Sequence, residues 1–193
     1  MHALRELPPL SPILNRVIAS LAHEDISFAK VAELIEKDTA LAGNVLRLVN
    51  SALYGLRGTV SSVRHAVSLL GVTKLRNTVL SVSAAHIWHS VRTPAGWSMA
   101  NFSLHSASVA ILSDLVAQQL RVKYSAGAFA AGLFHDLGLL LIAIGLPEEY
   151  RQISLLRAHD PEHVLQHELR VLGTTHAELS AAALVIWNLP API

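Results

Sequence analysis

Residues 129–139 of this 193-residue chain read FAAGLFHDLGL, a run of apolar and small side chains in which His135 and Asp136 stand together. A carboxylate buried without a partner is unstable, so Asp136 needs a proton, a hydrogen-bonded cation or a metal ion. A divalent ion would suit both side chains. Adjacent residues on a helix diverge by roughly 100°, so such an ion needs further ligands from other helices. The stretch therefore predicts an apolar core helix that carries one polar site.

Two further histidines are candidates for those ligands. His105 lies in FSLHSAS (residues 102–108) and His176 lies in TTHAEL (residues 174–179), and both are expected to precede or open helical runs. Thr175 and Glu178 have the spacing of a capping box, which places His176 in the first turn of the last helix. That end of a helix also attracts anionic ligands such as phosphate. Four residues are thus the candidate metal ligands, namely His105, His135, Asp136 and His176.

The composition predicts an all-α fold. Hydrophobic residues make up 52% of the chain and aromatic residues only 5%, so the core is built mainly from Ala, Leu, Val and Ile, a mix that suits closely packed helices. Helix-start signals recur along the chain, and Gly71 and residues 93–96 (TPAG) indicate breaks. The length fits one domain, residues 1–193, with an N-terminal helical lobe over about 1–95 packed on a C-terminal lobe over about 96–193.

Charge and cysteine content limit the partners that the chain can have. The formal net charge is +1, so no strong field attracts nucleic acid, and none is expected as a partner. The absence of cysteine fits a reducing compartment, which predicts a cytoplasmic protein. Residues 126–146 are about as long as a membrane-spanning helix but contain His135, Asp136 and four glycines, so they are interpreted as a buried core helix without a membrane role.

Other polar residues have simpler interpretations. His159, His163 and His167 are spaced four apart, but no acidic helper stands between the last two; Asp160–Pro161 is expected to cap this helix and the histidines to lie on a solvated face. A separate set, Asn50, Ser51 and Tyr54, lies where a helix is expected to meet a turn. These three side chains would satisfy backbone groups there or contact another lobe or a partner.

An ordered series of motifs gives the chain a family resemblance. His105 followed by HDLG at 135–138 resembles the HD superfamily of metal-dependent phosphohydrolases. More specifically, the chain resembles the HDOD domain, the HD-related output domain of bacterial signalling proteins. The matching segments are LPPL (7–10), DTALA (38–42), RLVNSALYG (47–55), VSS (60–62) with Ala66 and Leu70–Gly71, HDLG (135–138), HAE (176–178) and WNLP (187–190). The likeness covers nearly the whole chain.

The resemblance implies a regulatory output module of bacterial signal transduction that acts through protein contacts, with a degenerate, non-catalytic HD site. The alternative is a metal-dependent phosphohydrolase acting on a nucleotide or cyclic dinucleotide, and a third option is a nucleotide ligand that is bound without cleavage. Two departures favour the module. Leu139 stands where related hydrolases commonly have Lys, and no residue matches the distal Asp of the wider superfamily. A divalent metal ion at the HD site is the only cofactor that the resemblance suggests. The alternative is that His135 and Asp136 hydrogen-bond each other or neighbouring helices without an ion.

Overall fold

Every regular element in the described part of the chain is helical. The computed structural model describes residues 27–52, 54–55, 58–120, 125–187 and 189. The α-helices there are α1 (Phe28–Glu36), α2 (Thr39–Val49), α3 (Val63–Ser90), α4 (Met99–Leu120), α5 (Ser125–Phe134), α6 (Leu137–Gly145), α7 (Pro147–His159), α8 (Val164–Leu172) and α9 (His176–Ile186). A short 3-10 helix, Pro161–His163, joins α7 to α8. The all-α prediction is confirmed, whereas the LPPL segment at 7–10 lies outside the described residues.

Side-chain caps define the starts of four helices, one of which is α4, where the Ser98 hydroxyl accepts the Asn101 N–H at 3.2 Å. Asp38 precedes α2 and accepts a hydrogen bond from the Leu41 backbone N–H at 2.9 Å. Ser62 precedes α3 and accepts one from the His65 N–H at 3.2 Å. Thr175 forms a full capping box at the start of α9. These caps satisfy N–H groups that have no partner within their own helix, so each start is determined locally.

The long helix α3 bends at a glycine. Gly71 has φ 71° and ψ 174° inside the element, a left-handed value of φ that side-chain-bearing residues rarely adopt. The predicted break at this residue is therefore present as a kink that divides α3 into two helical runs.

One cluster of buried apolar side chains extends through the described helices. It includes Val45 from α2, Leu80 from α3, Leu133 from α5, Leu141 from α6 and Ala183 from α9. The chain turns over residues 91–98, between α3 and α4, where a break was predicted. Because residues on both sides of this turn contribute to the cluster, the two halves share a core, and the lobe boundary near residue 95 stays a prediction.

The apolar stretch at residues 126–146 is not one continuous helix, which corrects the expectation from its sequence. The part Gly127–Gly145 is long and apolar enough to cross a membrane by composition, but 67% of it is buried inside the fold, which agrees with its interpretation as core. Helix α5 ends at Phe134 and α6 begins at Leu137. Asp136 has φ −100° and ψ 9°, outside helical values, so the chain changes direction at His135 and Asp136. The HD pair lies at a corner, where both side chains can point the same way.

Candidate metal centre

Three predicted residues meet at one point. The Nε2 atoms of His105 and His135 are 3.2 Å apart, and each lies 3.3 Å from Oδ2 of Asp136. The three side chains offer ligand atoms that all lie within 4.8 Å of one another. The Nε2 atom of His176 lies 3.5 Å from the other carboxylate oxygen of Asp136. The structure thus brings all four predicted residues together, and we call them the HD cluster.

Hydrogen bonds at the corner orient His135. Its Nδ1 lies 2.8 Å from the Gly132 carbonyl oxygen, which can only accept, so Nδ1 carries the proton and a neutral ring leaves Nε2 free to act as a ligand. The Ser180 hydroxyl donates to the His135 carbonyl at 2.8 Å and accepts from the Gly138 N–H at 2.8 Å. Ser180 belongs to α9, so this buried hydroxyl connects the last helix to the corner that holds the HD pair.

A buried acid orients His176 in the same way. Glu168 is fully buried, and both of its carboxylate oxygens lie 2.8 Å from Nδ1 of His176. One of them also accepts the His176 backbone N–H at 2.8 Å. With Nδ1 donating to Glu168, Nε2 of His176 faces Asp136. This is the carboxylate–histidine arrangement that commonly fixes the ring of a metal-binding histidine and raises its basicity.

Glu168 was not among the residues predicted for the site. Its signal was its position: Val164, Glu168 and Val171 recur at spacings of four and three on the apolar side of α8, where an acid is out of place. Hydrogen bonding to Glu168 raises the pKa of His176 above its ordinary value of 6.5, burial opposes that rise, and the negative charges of Glu168 and Asp136 add to it.

Two glycines allow the helices of the cluster to approach one another. A Cβ on Gly132 would lie 2.8 Å from Cα of Ala110, so α5 packs directly against the backbone of α4, which carries His105. A Cβ on Gly138 would overlap the His176 carbonyl group, so α6 and α9 also meet backbone to backbone. Each approach brings one histidine to the HD pair.

The donor set fits a divalent ion. Two imidazole lone pairs and a carboxylate oxygen at these distances repel one another unless a proton or a cation lies between them. Mixed imidazole and carboxylate ligands suit first-row transition ions such as zinc, iron or manganese. The exposed His105 leaves the cluster open to solvent on one side. His105, His135 and Asp136 would hold the ion, with His176 as a further ligand.

Some details of the predicted positions were wrong. His105 does not precede or open a helix but lies in the second turn of α4. His159 ends α7. Asp160 precedes the 3-10 helix without a side-chain cap hydrogen bond, so the expected cap is absent, and the 3-10 helix interrupts the spacing of the other two histidines. His163 is exposed and contacts the Asp160 carboxylate at 2.8 Å, whereas His167 is largely buried and lies 3.2 Å from the Asp160 carbonyl oxygen. The expected solvated face therefore holds for His163 and fails for His167.

The residues after α2 form hydrogen bonds within the chain. Asn50 Nδ2 donates to the carbonyl oxygens of Leu46 at 2.8 Å and Val60 at 2.9 Å, and its Oδ1 accepts from the Val60 N–H at 2.7 Å. The hydroxyl of Ser51 donates to a backbone carbonyl at 2.6 Å, and that of Tyr54 lies 2.6 Å from a threonine hydroxyl on α3. These bonds connect the end of α2 to the segment that leads into α3.

Comparison with known proteins identifies the family. The profile of the HDOD domain matches residues 7–193. The chain belongs to the HDOD domain family. A solved HDOD domain protein of unknown function from Geobacter sulfurreducens shares the fold with a TM-score of 0.83 and 29% identity, over 96% of this chain and 61% of that one.

Two longer bacterial proteins are relatives of this HDOD domain. An uncharacterised protein of Treponema pallidum is 28% identical over 196 aligned positions, which cover 97% of this chain and 36% of the relative. The cyclic di-GMP phosphodiesterase CdgJ of Vibrio cholerae is 29% identical over 171 positions, which cover 88% of this chain and 37% of the relative. This HDOD domain thus spans just over a third of the length of either relative.

Proposed function

We propose that this HDOD domain is a regulatory output module of a bacterial signalling protein, that it acts through protein contacts, and that its HD cluster binds one divalent ion without turning over a substrate. The proposed ion is supported by the convergence of the His105 and His135 Nε2 atoms with the Asp136 carboxylate. In addition, Nδ1 of both His135 and His176 donates to an oxygen acceptor, which leaves Nε2 available as a ligand. Such an ion would connect α4, the corner between α5 and α6, and α9.

The surroundings of the cluster favour binding over turnover. Leu139 offers no positive charge where related hydrolases carry Lys, and it lines a cavity of about 60 Å³ together with Trp97 and Glu168. None of the four HD-cluster residues lines this cavity, so the missing positive charge is the feature that supports a regulatory module rather than a nucleotide hydrolase.

A second candidate is a metal-dependent phosphodiesterase. It is favoured by the similarity to CdgJ and by the open side of the cluster at His105, 55% of whose side chain is exposed. A divalent ion there would polarise a phosphate oxygen and lower the pKa of a bound water. His105, His135 and Asp136 would hold the ion in this case too, so metal content alone does not separate the two functions.

The first experiment measures metal content by mass spectrometry on protein purified without chelator. We expect a near-stoichiometric ion in the wild type and its loss in the double variant His135→Ala with Asp136→Ala. The matched control, His86→Ala with His89→Ala, removes two exposed histidines of α3 and should retain the ion. Wild-type protein that takes up no zinc, iron or manganese even after reconstitution would contradict the proposed ion.

The second experiment tests turnover on the metal-loaded protein. Cyclic di-GMP and a chromogenic phosphodiester are incubated with the wild type and with Asp136→Asn. We expect no hydrolysis above the variant's background. Hydrolysis by the wild type that disappears in Asp136→Asn would replace the module proposal with the phosphodiesterase.

A further inference from the structure

Helix α4 is apolar on both sides. Its inner side carries Phe102 and the small residues Ser106, Ala110 and Ala117, which are buried. Its outer side carries large apolar side chains that are 39% to 69% exposed, namely Leu104, Ile111, Leu112, Leu115, Val116 and Leu120. A helix that is apolar all round is typical of an element covered on every side. The described helices cover only one side of α4.

The exposed side is large enough to form an interface. The six side chains present apolar surface on the order of 600 Å², at the upper end of what a soluble monomer usually exposes in one patch. Pairing two such surfaces would bury on the order of 1,200 Å² in total, which reaches the lower end of standard specific interfaces. Because the six positions extend over about half the circumference of the helix, a symmetric pair buries at most this area, which suits a weak, reversible dimer.

The patch carries no charge for a charged partner to recognise. Asp114 is the one carboxylate in the sequence of α4, which contains no Lys, Arg or Glu. Asp114 is half-buried and accepts a hydrogen bond from Gln118 at 2.7 Å. An uncharged apolar surface is depleted in the residues that would repel an identical copy, and the chain's net charge of +1 adds little repulsion.

The register of the patch fits its own copy. On a helix, Leu104, Ser108, Ile111, Leu115 and Gln119 fall along one stripe, since they are separated by four, three, four and four residues. A two-fold axis between positions 111 and 112 of antiparallel helices would set Leu115 opposite the small Ser108 of the partner copy. Leu115, Val116 and Leu120 then face small residues of the partner copy, while Ile111 packs against Leu112 at the axis, and this arrangement allows the interaxial distance of about 8–10 Å that packed helices adopt.

We propose that a second copy of this chain docks on α4 and forms an antiparallel, two-fold symmetric dimer centred between Ile111 and Leu112. This contact does not require the ion, but it lies on the helix that carries His105, seven residues before Leu112, beside the side of the HD cluster that is open to solvent. The partner copy would cover the large exposed side chains of α4, just as neighbouring helices of the same chain cover its small buried residues.

Sedimentation equilibrium of the 193-residue chain tests this dimer, at protein concentrations from about 1 µM to about 200 µM. We expect a reversible dimer. Leu112→Glu places two carboxylates beside the symmetry axis and should weaken dimerisation at least about a hundredfold. Leu155→Glu on α7 is the matched control because Leu155 is 58% exposed against 60% for Leu112, and it should leave the dimer unchanged. Circular dichroism of both variants checks that the helices are intact.

Cross-linking tests whether Leu112 lies at the centre of the contact. The chain contains no cysteine, so Leu112→Cys introduces a single thiol, and mild oxidation should yield a disulfide-linked dimer, whereas Leu155→Cys should stay uncoupled. A wild type that stays monomeric over the whole concentration range would overturn the proposal, as would a dimer that Leu112→Glu leaves intact. A folded, monomeric Leu112→Glu protein that keeps the wild-type metal content would separate this contact from the HD cluster.

Discussion

At the scale of single residues, Glu168 acts on the site through His176. A fully buried carboxylate needs partners, and here these are the ring Nδ1–H and the backbone N–H of one histidine. The bond fixes the ring and keeps the proton on Nδ1, so Nε2 is directed at Asp136. Glu168 is therefore a positioning residue for the HD cluster.

Glu168→Gln should lower the pKa of His176 in metal-free protein, because the carboxylate that raises it is gone. An NMR titration of the His176 ring measures this directly. As a control, Glu162→Gln changes an exposed acid in the 3-10 helix before α8 and should leave the titration of His176 unchanged. An unaltered His176 pKa in Glu168→Gln would contradict the role given to this acid.

The same raised pKa gives metal-free protein a pH dependence. A histidine whose pKa is higher in the folded than in the unfolded state contributes stability below its ordinary value of 6.5 and loses that contribution as pH rises through the folded value. Wild type should therefore lose more stability than Glu168→Gln when pH is raised through that range, as measured by urea unfolding with chelator present. Equal losses in the two proteins would contradict the coupling.

At the scale of helices, close backbone approach builds the site. Two glycines, Gly132 and Gly138, lie where α5 meets α4 and where α6 meets α9. Side chains at these positions would hold the helix pairs apart and move His105 or His176 away from Asp136. Close backbone packing against α9 therefore explains why the HDLG segment has a glycine at position 138.

Gly138→Ala should destabilise the fold by about 1–3 kcal/mol, as overpacking of a tight contact does, and should reduce metal content because α9 must shift. Urea unfolding and metal analysis measure both effects. Gly43→Ala in α2 is the control, since no atom lies within 4 Å of the place that its new Cβ would occupy, and it should be neutral or stabilise by up to about 1 kcal/mol. Equal unfolding midpoints for the two variants would contradict the packing argument.

Helix caps offer a second comparison at this scale. Asp38→Ala removes the acceptor for the Leu41 N–H and should cost about 1 kcal/mol. Ser27→Ala should have almost no effect, because Ser27 precedes α1 without a side-chain cap hydrogen bond. Urea unfolding measures the stability of both variants. A larger loss of stability for Ser27→Ala than for Asp38→Ala would contradict these cap assignments.

At the scale of the whole molecule, the HD cluster connects parts of the chain that are distant in sequence. Its ligands come from α4, from the corner after α5 and from α9, about seventy residues apart. An ion bound by the folded but not by the unfolded chain stabilises all of these contacts together.

Adding zinc or manganese to metal-free protein should therefore raise its melting temperature. An ion at a hundred times its dissociation constant adds about 2.7 kcal/mol, which corresponds to several degrees for a chain of this size. Differential scanning calorimetry with and without chelator measures the shift, and it should vanish in His135→Ala with Asp136→Ala. A similar shift in that variant would place the ion elsewhere.

Local patterns in the sequence determined much of this protein. Apolar composition, the caps at Asp38 and Thr175 and the break at Gly71 predicted an all-α fold, because these signals act within a few residues of the chain. The four residues of the HD cluster were also predicted, since polar side chains in apolar surroundings require partners.

Only the tertiary structure decided how these pieces meet. The corner at His135 and Asp136, the pairing of Glu168 with His176 and the exposed outer side of α4 all depend on which helices lie next to one another. A sequence shows that a side chain needs a partner, but long-range packing decides which partner it finds. Hydrophobic burial has no direction, so the same apolar pattern fits either a covered or an exposed helix face until its neighbours are in place.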